Sequence, residues 1–443
     1  MTHFWDTVKG FVTQSDVVIG LPHLIELAED PSGYKRENAV RRLGMLGDPA
    51  ALDSLLRRAN DWVPQVRLAA LHAIRQLMIP TNANAFVSSL PEIFHLEQCG
   101  RASHRALIEE ISNFLADPNN SSSILLGLEA AEPRVRRLCY DIAFTYRIAQ
   151  LEDLAGRAVR DHDVVVQRRG ISRLKNLDSQ QSRAVLTEAL RSPTAGVREA
   201  ALRIYLKMPS EDVTVHTAYR CALDSSNAVR GVAMGWLRDQ GADVSAVLLE
   251  TVRQADSPAR KVRAGILAIA EIHRKDLLSE ILHHLESDYP SIRAAVLAAT
   301  ARLDADHARD LCEKALEDSS PGVVRLASKL LTKLGVRFEA RRLIELVRKD
   351  SREVVRRAAT YLSRHSNKWE RLVYLLRMAE PLGAVVSINN ELSDWNRSFN
   401  RSAVGPTSEQ LAELRSLIDE SEPFMSAKER SELSFALTQA RAR

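Results

Sequence analysis

Ser351-Arg352-Glu353-Val354-Val355-Arg356-Arg357-Ala358-Ala359-Thr360-Tyr361-Leu362 decides the fold, because its Val-Arg pair, followed by small residues and Leu, returns along the chain. Aligned on the arginine, the slot falls at Arg36, Arg67, Arg105, Arg136, Gln167, Arg198, Arg230, Arg263, Arg293, Arg325 and Arg356. Successive steps are 31, 38, 31, 31, 31, 32, 33, 30, 32 and 31 residues. So narrow a spacing over ten intervals is a repeat period, and a period of this size belongs to stacked supersecondary units rather than to separate domains. The one long step coincides with an irregular insert, residues 80–89.

Inside each unit, Val or Ile precedes the slot in nine of eleven cases, and Ala or another small residue follows two or three places on. Small residues at that spacing let two helices approach closely. An Asp lies about six residues before the slot at Asp30, Asp61, Asp161, Asp224 and Asp350, and one place off register at Asp256, Asp288 and Asp318. That is where a turn must end one helix and cap the next. Pro31, Pro64, Pro133, Pro193, Pro258, Pro290 and Pro321 stand close by, as a helix stop or first-turn residue does. A first helix such as 51–58 then packs on a second such as 64–78, and neither hides its apolar stripe without neighbours. Apolar residues at 45% with aromatics at only 5% suit such a Leu-, Ala- and Val-packed helical chain.

The pattern Val66-Arg67-Leu-Ala-Ala-Leu, with Arg198-Glu-Ala-Ala-Leu, resembles the HEAT repeat, in particular the short bacterial units of phycobilisome lyases. The resemblance covers residues 20 to 365 and implies an all-α, right-handed α-solenoid of about eleven two-helix repeats. It also implies that each slot Arg bonds to the Asp or to turn carbonyls of its own or the adjacent unit, and that the second helices line a concave side. Gln167 departs from the pattern, and so does the unit around residues 104–108, whose Ala positions are weak.

The ends must cover apolar faces that lack a neighbour. Residues 1–19 read as a capping helix, with Phe4, Trp5, Val8 and Phe11 on one face. Residues 366–443 read as a helical C-terminal cap with an irregular loop at 387–406, and with capping boxes at Thr407-Ser-Glu-Gln410 and Ser426-Ala-Lys-Glu429. In that loop Trp395 and Phe399 either plug the last repeat or, with Arg397 and Arg401, anchor a partner.

With 61 basic and 57 acidic residues, the net charge of +4 implies no uniformly basic body. Only 12 of the 61 are Lys, a bias that fits either codon composition or a demand for bidentate donors. Cys99, Cys139, Cys221 and Cys312 are too scattered for a zinc knuckle or disulfide framework. No basic leader or 18-residue apolar run occurs, so cytoplasmic residence without membrane attachment is expected.

No Gly-rich phosphate loop, His-Glu-x-x-His helix or Gly-x-Ser-x-Gly elbow occurs, so the expectation is a non-enzyme with no cofactor, no metal site and no small-molecule substrate. His283 and His284, adjacent on a helix, point too far apart to share a metal. Cations cluster eight or nine residues after the slot, toward the end of the second helices. Arg75, Lys175, Lys207, Arg238, Arg302, Lys333 and Arg364 stand there, with Arg137, Arg168, Arg169, Arg173 and Arg357 nearby. Such a stripe attracts carboxylates or phosphates, although helix dipoles alone also favour cations in a last turn. Tyr140, Phe144, Tyr146, Tyr205, Trp236 and Tyr361 would supply stacking, but they do not interleave regularly. The grouping Trp236-Leu-Arg238-Asp239 is similar in residue type to the lesion site of HEAT-like alkylpurine DNA glycosylases. The expected function is a protein-binding scaffold or adaptor gripping a partner protein or acidic peptide through Arg75, Arg137, Arg168, Lys175, Arg238, Arg302, Lys333 and Arg364. Nucleic-acid binding by the same residues is the alternative.

Overall fold

The structure, a computed structural model, describes residues 20–175, 177, 179–208, 212–254, 256–383, 385–398 and 405–440. The capping helix expected at 1–19, and Phe399 and Arg401, lie outside these residues. Among the described residues every regular element is helical. The chain divides into two compact units, residues 1–210 and 211–443.

The first unit runs through α1 (Leu21–Leu27), α2 (Gly33–Leu46), α3 (Leu52–Ala59), α4 (Pro64–Leu77), α5 (Ala83–Ser88) and α6 (Leu90–His95). It continues with α7 (Arg105–Ala116), α8 (Ser121–Gly127), α9 (Pro133–Tyr146), α10 (Leu151–Arg160), α11 (Val164–Arg173), α12 (Gln180–Ala189) and α13 (Ala195–Tyr205). Second helices stack on second helices, α2 on α4, α9 on α11 and α11 on α13, while first helix α10 packs on first helix α12. The buried stripe of α4 shows why: Val66, Ala70, Ala73, Ile74 and Leu77 recur at the helical period and all lie in the core. Each large apolar side chain so buried contributes about 1.5–3 kcal/mol. Between them the small residues set the distance. A Cβ on Gly44 would stand 2.8 Å from the Ala73 Cβ, and one on Gly170 would stand 2.6 Å from the Ala158 Cβ.

The second unit begins with α14 (Asp212–Ala222), α15 (Asn227–Asp239), α16 (Val244–Arg253), α17 (Ala259–Glu271), α18 (Leu278–Leu282), α19 (Pro290–Leu303) and α20 (Ala305–Lys314). There follow α21 (Pro321–Lys333), α22 (Ala340–Lys349), α23 (Glu353–Ser363), α24 (Lys368–Arg377), α25 (Ala379–Gly383), α26 (Ile388–Arg397), α27 (Ser408–Glu420) and α28 (Ala427–Gln439). The same rows recur, α17 on α19, α19 on α21 and α21 on α23, with α16 on α18 and α22 on α24. One apolar cluster joins Leu331 and Leu343 of these repeats to Leu372, Leu392, Leu414 and Leu433 beyond residue 365.

Two expectations are corrected. Of the segment 387–406 expected as an irregular loop, Ile388–Arg397 is a helix, because Ser387 accepts the amide of Asn390 and caps α26, whose Trp395 is buried. Trp395 meets Trp369 edge to face at 5.8 Å, donates Nε1–H to the Lys368 carbonyl at 2.6 Å, and lies under the Lys368 ammonium. Arg105 is not a slot residue. It opens α7, whereas Arg36, Arg67, Arg136, Gln167, Arg198, Arg230, Arg293 and Arg356 are each the fourth residue of their helix.

Candidate functional site

A side chain on the fourth residue of a helix leans back toward the N-terminus, which carries the slot guanidinium over the preceding turn. There Arg36 Nη1 donates to the carbonyls of Asp30 and Pro31, both at 2.9 Å. Arg67 does the same to Asp61 and Trp62, Arg136 to Ala130 and Ala131, and Arg198 to Ser192 and Pro193. The other edge of the guanidinium reaches the next repeat. Arg36 bonds both Asp61 oxygens at 2.8 and 2.9 Å, Arg293 both Asp318 oxygens at 2.7 and 2.8 Å, and Arg136 those of Asp161 at 3.1 and 3.4 Å. Each acceptor lies 25 residues after its donor.

The Asp does not cap its helix as expected. It stands two residues before the cap and accepts that residue's amide, Val63 at 2.9 Å from Asp61, Asp163 at 2.7 Å from Asp161 and Ser320 at 2.7 Å from Asp318. This is an Asx turn, in which the carboxylate folds the link between two helices. One carboxylate therefore shapes its own turn and holds the previous repeat. Burial pushes the Asp61 and Asp318 carboxyls up, but bonds from Arg36 and Arg293 and from the turn amides outweigh it and leave both below the ordinary value. The ladder breaks at the insert, since Arg67 meets only its own turn carbonyls. It is rerouted at Arg230, which pairs with Glu271, and at Arg356, which donates to the Pro381 carbonyl at 2.6 Å.

Arg36, Arg67, Arg136, Arg198, Arg230, Arg293 and Arg356 are thus structural, whereas Arg263 and Arg325, each the fifth residue of its helix, make no such bond among the described residues, contrary to expectation. The later cations divide. Arg75 binds both oxygens of Glu110 at 2.7 and 3.0 Å, Arg137 binds Asp163 at 2.6 Å, and Arg364 pairs with Glu391. Glu391 also accepts from buried Arg371 at 2.9 Å. Arg302 lies 3.4 Å from the His273 ring nitrogen. Arg168, Lys175, Arg238 and Lys333 are exposed and make no ion pair among the described residues. Basic charge concentrates along α9 and α11. Six cations, Arg134, Arg137, Arg168, Arg169, Arg173 and Lys175, meet two carboxylates there, Asp141 and Asp163. Arg169 crosses the seam to Asp141 at 2.6 Å and to the Arg137 carbonyl, and the Arg173 guanidinium stacks over Phe144. Burial nonetheless raises the Asp141 carboxyl above its ordinary value.

Beside the seam opens a cleft of about 970 Å³. Pro91, Phe94 and Leu96 of the insert and Leu138 of α9 supply its apolar wall, and Arg134, Arg137, Asp141 and Arg169 one rim. Residues 80–104, between α4 and α7, which take in the insert at 80–89, build the other side. They form α5, α6 and a 3-10 turn at Leu96–Gln98, tied to α3 through Asn60, whose carbonyls accept from Arg101.

The family model for HEAT repeats matches residues 20–92 and 276–363. Both matched stretches of the chain are HEAT repeats. No curated protein matches it. Among solved structures, Escherichia coli YibA shares 14% identity over 66% of this HEAT-repeat chain and 98% of its own, at a TM-score of 0.30. The karyopherin Kap121p, bound to the extreme C-terminus of the phosphatase Cdc14p, shares 13% over 92% of this chain and 53% of its own, at 0.37. The complex of CpcE and CpcF of phycocyanin lyase from Nostoc shares 15% over 62% and 92%, at 0.23. Likeness at this level says nothing of what the HEAT-repeat chain binds.

The remaining candidates of the HEAT-repeat chain do not converge. Trp236 and Arg238, two residues apart on α15, diverge by roughly 200° around the axis. The exception is His283 and His284, whose rings come within 4.0 Å of one another, contrary to the expectation from α-helical spacing, because the pair opens a 3-10 turn at His283–Glu286. His284 Nε2 lies 3.0 Å from the Val252 carbonyl, and no group of three or more metal-ligating side chains occurs among the described residues. Tyr140, Phe144 and Tyr205 are core residues. No described helix is long and apolar enough to cross a membrane. Arg134 and the cleft wall escaped sequence reasoning, and the signal for the wall was the long interval between Arg67 and Arg136, within which Arg105 is no slot residue.

Proposed function

We propose that this HEAT-repeat chain is a non-catalytic scaffold or adaptor that binds an acidic segment of a partner protein on the second-helix face of its first unit. The observation that supports it most is the α9–α11 seam, where six cations face two carboxylates in a chain that is otherwise nearly charge-balanced. Arg168, Arg173 and Lys175 are the leading contacts. Exposed guanidinium and ammonium groups that make no ion pair gain most from incoming carboxylates. Arg75, Arg137 and Arg364 already hold carboxylates and contribute less. Arg238, Arg302 and Lys333, all in the second unit, are secondary contacts. Cytoplasmic residence, and a capping role for residues 366–443, belong to the same reading.

The test is affinity purification from the native cell with the wild-type chain and a triple variant, R168E/R173E/K175E. A partner recovered by the first and lost by the second supports the proposal. Recovery unchanged by charge reversal overturns it. Phosphates would satisfy the same cations, so mobility shifts over a salt series accompany the test. Tight DNA or RNA binding that falls steeply with salt would replace the partner protein by nucleic acid.

A further inference from the structure

The geometry points to the cleft between α6 and α9 as the place where the partner is anchored, by an amphipathic segment with apolar side chains at its centre and carboxylates on one flank. This rests on the scaffold reading and locates it. Three observations carry it.

First, the cleft is a departure from the repeat. Clefts between ordinary repeats of this unit hold about 480 and 430 Å³, whereas here α6 and the turn at Leu96–Gln98 border about 970 Å³, enough for the buried side of a short peptide segment. Second, its wall is apolar where side chains would insert. Phe94 and Leu138 are partly buried against the first unit's core and present their remaining surface to the cleft. Apolar surface left inside a concavity, ringed by polar groups, is the usual form of an anchoring pocket.

Third, the two rims differ in charge. On the α9 side stands Arg134, exposed and without an ion pair among the described residues, continuous with the cationic seam. On the insert side stand Glu92 and Glu97, both exposed, beside Arg57 and Arg58 of α3, whose guanidiniums are already held by Glu29 and Asp61. A segment acidic along one edge fits in one orientation only, because reversal would set its carboxylates against Glu92 and Glu97. An indifferent polyanion meets the same repulsion, which favours a peptide over a nucleic-acid backbone here.

The experiment is selection of displayed random peptides on the full-length protein, followed by fluorescence-anisotropy titration of the enriched peptides with variants. Arg134→Glu reverses one rim, and Gln98→Trp fills the cleft from an exposed position, so neither disturbs the core. Circular dichroism checks that both fold. The expected result is enrichment of peptides pairing Leu or Phe with a flank of Asp or Glu, each weakened about tenfold or more by both variants. Peptides that ignore R134E and Q98W but are weakened by R168E/R173E/K175E or K333E overturn the cleft and leave the scaffold standing. Failure to enrich any acidic peptide overturns both.

Discussion

Gln167 and Ser192 stand in the same relation as Arg36 and Asp61, the fourth residue of one second helix and the turn residue 25 places on, and both have exchanged charge for a neutral side chain. Gln167 Nε2 still donates to the Asp161 carbonyl at 2.6 Å, and Ser192 Oγ still accepts the Thr194 amide at 3.2 Å. The turn chemistry is kept on both sides while the tie between the repeats is dropped.

It follows that Gln167→Arg alone sets a guanidinium beside an uncharged turn and destabilises the chain by about 1–3 kcal/mol. Adding Ser192→Asp supplies the missing carboxylate and recovers most of the loss. Urea denaturation of the two single variants and the double gives the coupling. Strict additivity would show that the ladder is not a modular device.

Arg36 and Asp61 are both nearly fully buried, with side-chain exposures of 3% and 1%. Arg36→Ala takes from the buried Asp61 carboxylate its bidentate partner, leaving Arg58 at 3.0 Å and the Val63 amide to hold it, and costs about 3 kcal/mol. Replacing both, as R36M/D61L, removes the charge together with its need for compensation, and the double variant is expected to be more stable than R36A. Equilibrium denaturation of the three proteins checks the order.

Asp61 and Asp318 titrate below the ordinary carboxylate value in the folded chain. A depressed folded value means that the unfolded chain binds protons first, so the stabilisation is full above about pH 4 and is lost as pH falls through the folded values. Thermal melts from neutral pH to pH 3 are expected to show a drop confined to the acid end. Asp61→Asn shallows that drop, and a wild-type drop centred near pH 6 would contradict the assignment.

Gly170 carries no Cβ because Ala158 occupies the space 2.6 Å away. Gly170→Leu forces α11 off α10 and costs about 1–3 kcal/mol by overpacking. Gly196, with nothing near its Cβ position, is the control, and Gly196→Ala is expected to leave the melting temperature unchanged or slightly raised.

Much of the architecture was legible because it is written at short, fixed offsets. Val66, Ala70 and Ala73 report one helix face, and Arg36 and Asp61 report a tie between neighbours at constant separation. The fate of the later cations was not legible, since Arg75 finds Glu110 35 residues on and Arg364 finds Glu391 27 residues on, distances set by packing rather than by period. The Asp turns were misplaced by two residues because a carboxylate that caps and one that folds the preceding link look alike in a string of letters. Ser387 and Trp395 hid a helix in a polar segment, for only tertiary burial reveals that one face of it is apolar.

The missing tie at Arg67 has a mechanical meaning. Stretched from its ends, the first unit shares load across rungs such as Arg36 to Asp61, yet the junction after α4 transmits force through van der Waals contact and a few peripheral bonds. Besides the junction after α11, where Gln167 and Ser192 drop the same tie, rupture under tension should begin there, at the boundary with the larger cleft, about 970 against 480 Å³, so a ligand wedged across it would act as a rivet.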